Sequence, residues 1–144
     1  MMQVAYNFRK QVSCNMSEAD LIWVIRKHVE GLFPKTCSVC HRVFPNYRDY
    51  LRNTKRCGVP ISYDLELNDL KPKRSSGNIA LADCSCGNTL TISSEGMPLM
   101  QIWQILYWVK MESLRRGVKT EEIICYIRDT VENQALNDTL SSRP

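Results

Sequence analysis

The chain has 144 residues, 44% of them hydrophobic and 24% charged, a composition that supports a folded core and excludes a disordered protein except at the ends. Its formal net charge of +4 is modest, and its pI of about 8.7 lies below the strongly basic range of a dedicated nucleic-acid module. No apolar stretch reaches the length of a membrane span, and Arg9 and Lys10 follow a mixed polar start instead of preceding an apolar run, so a cytoplasmic, reducing location is expected.

Residues 1–16 alternate Val4, Tyr6 and Phe8 with polar residues and read as an edge strand or a disordered start. Residues 17–34 hold an N-terminal helix. Ser17 precedes Glu18 and Asp20 in the manner of a capping box, Gly31 and Pro34 stop the helix, and Leu21, Ile22, Ile25 and Val29 share one face. His28 lies at the border of that face, where a hydrogen-bonded boundary histidine is expected rather than a metal ligand. After Phe44, Asn46 caps a short helix from Tyr47 to Thr54 whose apolar stripe is Tyr47, Tyr50 and Leu51. Cys57-Gly58-Val59-Pro60 reads as the turn that ends it, with a short extended segment from Ile61 to Tyr63. Leu65, Leu67 and Leu70 alternate with polar residues, and 71–77 form a basic loop.

Asn78–Ala82 and Thr89–Ile92 are β-compatible runs on either side of Cys84-Ser85-Cys86-Gly87, a strand, turn and strand pattern. Pro98 then opens a helix over Leu99–Arg116 that is apolar around about two thirds of its circumference. Its polar strip, Gln101, Gln104, Glu112 and Arg115, has Trp108 at its centre, so Trp108 is expected at an interaction surface. Gly117 ends that helix. A last helix from Thr120 to about Gln134 buries Ile123, Ile124, Ile127 and Val131 and completes an αα-hairpin over 96–136, leaving 137–144 as a flexible tail. Cys125 falls on its polar face and is expected to be the most reactive thiol.

The seven cysteines are an odd number and poorly suited to a disulfide framework in a reducing compartment. Four of them form two tight pairs, Cys37-Ser38-Val39-Cys40 and Cys84-Ser85-Cys86, separated by 43 residues. Each pair supplies two thiolates from one short turn, which is what a tetrahedral ion needs, so Zn2+ held by Cys37, Cys40, Cys84 and Cys86 is the expected cofactor. His41 and Cys57 are the substitutes should one ligand be displaced. This arrangement resembles a zinc ribbon, in which two cysteine turns on antiparallel hairpins clamp one ion. Its second turn is C-x-C where the ribbon has C-x2-C, and the resemblance implies metal binding without a particular activity. Cys37, Cys40 and Phe44 also resemble the opening of a C2H2 zinc finger, but that register places Asn53, which does not ligate zinc, at a ligand position. The expected fold is α+β: a small antiparallel zinc-ribbon-like module over residues 35–95, an N-terminal helix and a C-terminal αα-hairpin.

Two other chemistries share the first motif. Cys37-Ser38-Val39-Cys40-His41 has the spacing of c-type haem attachment, with Met97, Met100 or His28 as distal ligands, and Cys37/Cys40 has the spacing of a redox dithiol. The first leaves Cys84 and Cys86 without a role, and the second lacks a thioredoxin-like strand and long helix. No nucleophile triad, H-E-x-x-H or phosphate loop can be assembled, so a non-catalytic protein is expected. Residues 35–74 hold nine Lys or Arg against four acids. Two functional classes follow. One is an interaction or adaptor module that meets a protein partner or its own copy through the C-terminal helices. The other binds nucleic acid, with Arg42, Arg48, Arg52, Lys55 and Lys73 on phosphates and Tyr47 or Tyr50 stacking.

Overall fold

The computed structural model describes residues 16–62 and 78–138. The expected edge strand before Met16, the leucine alternation from Leu65 to Leu70, the basic loop with Lys73, and the tail from residue 139 lie outside the described residues. In chain order the elements are α1 (Glu18–Glu30), β1 (Lys35–Thr36), β2 (Val43–Phe44), α2 (Tyr47–Asn53), β3 (Thr54–Ser62), β4 (Asn78–Cys84), β5 (Thr89–Ser93), α3 (Leu99–Arg116) and α4 (Thr120–Asn137). β1 and β2 make a two-stranded antiparallel ribbon, and β3, β4 and β5 make a three-stranded antiparallel sheet in that order. The fold is α+β.

Local chemistry accounts for the helix ends. Ser17 accepts from the Asp20 N–H at 3.1 Å while the Asp20 carboxylate accepts from the Ser17 N–H at 3.3 Å, which satisfies two of the four N–H groups left over at the start of α1. The Asn46 side chain accepts from the Asp49 N–H at 2.8 Å at the start of α2. Gly117 closes α3 in the left-handed region at φ 67°, where a side chain would be strained.

One element differs from the sequence expectation. Gly58 and Pro60 do not end the chain's run in a turn, because β3 continues straight from α2 to Ser62 and pairs with β4 at both ends. The register shifts between Cys57 and Ile61, and Gly58 takes φ 70° there. A bulge absorbs the proline, which has no N–H to give to a ladder, and preserves the strand on either side of it.

α4 is the centre of the helical layer and packs against α1, α2, α3 and β3. The main core runs without a break from Leu21, Ile22 and Val29 of α1, through Phe44, Tyr47 and Tyr50, to Ile123, Ile127, Val131 and Ala135 of α4. It includes Cys37 and Cys84, so the cysteine turns sit directly on the core. Rings of Phe33, Phe44 and Tyr47 surround Tyr50 at centroid distances of 5.4, 5.5 and 6.4 Å, two of the contacts edge-on. Phe44 is wholly buried beneath the first turn. Met97, Ile102 and Leu106 form a second, separate core cluster, and Ile105 touches both.

Candidate metal centre

Each cysteine pair is presented by a hairpin end. β1 and β2 bracket Cys37–Arg42, closed by the Cys37 N–H donating to the Arg42 carbonyl at 2.9 Å and the His41 N–H donating to the Cys37 carbonyl at 2.9 Å. β4 and β5 bracket Ser85–Asn88, closed by the Cys84 N–H on the Asn88 carbonyl at 2.8 Å and the Gly87 N–H on the Cys84 carbonyl at 2.9 Å. The two turns are alike although one is C-x2-C and the other C-x-C. In each, the residue after the second cysteine is left-handed: His41 at φ 63° and Gly87 at φ 94°.

The turns bring Cys37, Cys40, Cys84 and Cys86 together, with all four sulfurs within 4.8 Å of one another. Cys37 Sγ lies 3.6 Å from Cys86 Sγ, and Cys40 Sγ lies 3.6 Å from Cys84 Sγ, so the pairs interleave. A disulfide needs about 2.05 Å between sulfurs. A tetrahedral ion with Zn–S bonds of about 2.3 Å needs edges of about 3.8 Å, and the observed spacing fits that donor set. It is too tight for a multi-iron cluster, whose own irons and sulfides would push the thiolates apart. The four described sulfurs can hold one metal ion.

The electrostatics suit an anionic donor set. The backbone N–H of Cys40, the Asn88 amide (3.4 Å from Sγ) and the Val39 N–H draw the Cys37 thiol down to about 6. The backbone N–H of Cys86 leads in lowering Cys84. The Arg42 N–H also pulls Cys40 down, but desolvation and the surrounding thiols of Cys84, Cys37 and Cys86 outweigh it and push Cys40 up to about 11. Four thiolates this close repel one another, and a bound cation removes that repulsion while releasing the remaining protons. Cys37 and Cys84 are buried while Cys40 and Cys86 are exposed, so the centre backs onto the core and opens outward.

The six described cysteines form no disulfide. His41 and Cys57 both stand outside the four-sulfur group: His41 is exposed at its turn, and Cys57 faces solvent on β3 opposite Leu81. Cys57 is also more exposed than Cys125, which is partly covered, so the ranking of thiol reactivity drawn from the helical wheel is corrected. His28 is the boundary histidine expected, with Nε2 2.9 Å from the Ser93 carbonyl oxygen.

The described basic residues divide between exposed and engaged positions. Arg42, Arg52 and Lys55 are exposed, with the Arg42 guanidinium 5.4 Å over the Phe44 ring. Arg48 instead donates to the Ala135 carbonyl at 3.0 Å and serves the C-terminal end of α4. Arg56, which composition alone cannot tell from the others, is paired with Asp129 and Glu132. Tyr47 and Tyr50 are 6% and 2% exposed, so base stacking by either is excluded; burial pushes the Tyr50 hydroxyl up to about 12.

Trp108 is partly buried and packs against the main core, while Ile102, Leu106 and Val109 are the buried residues of α3. The outward side of α3 carries Met100, Met111 and Leu114, the last 67% exposed, all within about 60° of one another on a helical wheel. The helix was legible as apolar around most of its surface, and that excess was the signal for this stripe.

No protein-family model matches the chain, and no curated protein or solved structure is detectably similar to it. Among the described residues no helix is long and apolar enough to cross a membrane.

Proposed function

We propose that the protein is a non-catalytic zinc-binding interaction module working in a reducing compartment such as the cytoplasm. The observation that carries this reading is the closed set of four thiols within 4.8 Å. Four thiolates satisfy a tetrahedral ion completely and leave no position for water or substrate, so the ion's role is structural. It ties the β1–β2 ribbon to the β4–β5 hairpin over Phe44 and thereby fixes the helical layer behind them. The outward-facing Met100, Met111 and Leu114 mark the side of α3 through which a protein partner or a second copy would bind, since several large apolar side chains are exposed on this one side of the helix.

Metal analysis and native mass spectrometry of freshly purified protein test the first part. One zinc per chain is expected, and protein that is metal-free, iron-loaded or haem-bound would overturn it. Light scattering with wild type and Met111→Glu/Leu114→Glu tests the second. Self-association abolished by the double variant supports a second copy as the occupant. A second reading rests on the exposed cations Arg42, Arg52 and Lys55 and assigns nucleic acid as the partner. It requires binding to generic DNA or RNA that weakens steeply with salt, and is discarded if none occurs at low salt.

A further inference from the structure

The inner face of the three-stranded sheet is made of small residues at its centre. Ala82 stands opposite Leu90 on β5 and Arg56 on β3, and Ala80 stands opposite Ile92. Ala82 and Leu90 belong to the buried core, so the alternate residues of β4, Ala80 and Ala82, face the helices. A methyl group cannot reach across to α1, α3 and α4, and a cavity of about 300 Å³ remains between the layers. Its wall is dominated by aliphatic side chains, among them Ile25, Ile92, Ile102, Ile105 and Ile124. Two independent features mark the same gap. The cluster of Met97, Ile102 and Leu106 is separate from the main core, with Ile105 packed against both, and Ile25, Ile92, Ile105 and Ile124 remain only partly buried although they pack on that core.

The polar groups at the wall define what would fit. His28 is engaged with the Ser93 carbonyl at 2.9 Å and the Thr54 hydroxyl donates to the Tyr50 carbonyl at 2.7 Å. Arg56 pairs with Asp129 at 3.1 Å and with Glu132, while Arg128 donates to the Gly58 carbonyl at 3.0 Å and lies 3.3 Å from Asp129. The wall's two guanidinium groups are thus balanced by carboxylates. An anionic ligand would have to compete with Asp129 and Glu132, whereas a neutral one disturbs nothing. A cavity of about 150 Å³ takes one benzene, and ligand sites begin near 300 Å³.

We propose that this cavity is a binding site for an uncharged, hydrocarbon-rich small molecule, of the bulk of a fused-ring aromatic or a medium-length aliphatic chain. None of the four metal-site cysteines lines it, so the site stands apart from the metal reading.

The test uses the full chain in its metal-loaded form, titrated with the neutral probe N-phenyl-1-naphthylamine. Saturable one-to-one fluorescence enhancement is expected, displaced by 1-decanol and at least about ten-fold more weakly by decanoate. Ala80→Leu fills the cavity from the sheet side and should weaken probe binding by about ten-fold or more while raising the unfolding midpoint. Should that variant not fold, Ile105→Phe adds bulk from the helical side and is read the same way. Val43→Glu, at an exposed position of β2 that does not line the cavity, should leave probe binding unchanged. Absence of saturable binding, binding that Val43→Glu removes, or binding that both cavity-filling variants leave intact would overturn the proposal, the last two because they place the probe on the surface. Equal displacement by decanoate would overturn the assignment of an uncharged ligand.

Discussion

His41 and Gly87 occupy equivalent left-handed positions in the two cysteine turns, and only one of them is glycine. The left-handed conformation costs a side-chain-bearing residue about 1 kcal/mol. His41→Gly should therefore keep the full metal complement and raise stability by about 0.5–1 kcal/mol, whereas Gly87→Ala should lower it by about 1 kcal/mol. Metal stoichiometry together with chemical denaturation checks both, and loss of the metal in His41→Gly would mean that the imidazole is a ligand after all. Thiol chemistry separates the cysteines in the same turns. Of the described cysteines, Cys57 should be alkylated first in the metal-loaded protein, being exposed and outside the four-sulfur group, with Cys40 and Cys86 becoming reactive only after chelation. Modification of Cys40 ahead of Cys57 in loaded protein would favour a redox dithiol.

At the scale of elements, the first ribbon and α2 are held by Phe44, wholly buried under the cysteine turn, and by Arg48, which joins α2 to the end of α4. Phe44→Ala should cost about 3–5 kcal/mol through the cavity it leaves, enough to unfold a marginal domain. Arg48→Ala should cost about 1 kcal/mol by leaving the Ala135 carbonyl without its donor, and should leave any nucleic-acid affinity unchanged. A salt-dependent loss of binding in Arg48→Ala would show instead that this guanidinium meets phosphate. The residues expected on phosphates thus divide: Arg48 serves α4, Arg42, Arg52 and Lys55 remain outward, and Lys73 lies outside the described residues.

For the whole molecule, the metal centre and the core are one structure, since Cys37 and Cys84 belong to the main hydrophobic cluster. Chelation should lower the unfolding midpoint and loosen the helical layer as well as the turns, measurable by hydrogen exchange along α1 and α4. Without metal the pH dependence has a defined sign. The Cys37 thiol is lowered to about 6 when folded, so its stabilisation is complete above the ordinary thiol value of about 8.5 and is lost as pH falls through about 6. Cys40, raised to about 11, contributes stability that is complete below about 8.5 and is lost as pH rises through about 11. Metal-free protein should be most stable near the ordinary thiol value, and Cys37→Ala should remove the acid limb of the curve in urea titrations from pH 5 to 8.5.

Signals that depend on near neighbours in the chain were legible in the sequence: the paired cysteine turns, the caps at Ser17 and Asn46, the stop at Gly117, and the stripe Ile123, Ile127 and Val131. Each is a contest settled within one turn of backbone, where residue type decides. What lay between elements was not legible. Gly58 and Pro60 carry the chemistry of a turn, yet pairing with β4 turned them into a bulge, because ladder bonds on either side outweigh a local preference. α3 is apolar around most of its circumference, so periodicity could not choose its rotation; packing on α4 and the second core cluster drew Trp108 inward and left Met111 and Leu114 outside. The cavity is the extreme case. Two alanines on one strand look like ordinary core residues, and only the distance from the sheet to the helices across from them decides whether they fill the space or leave it open.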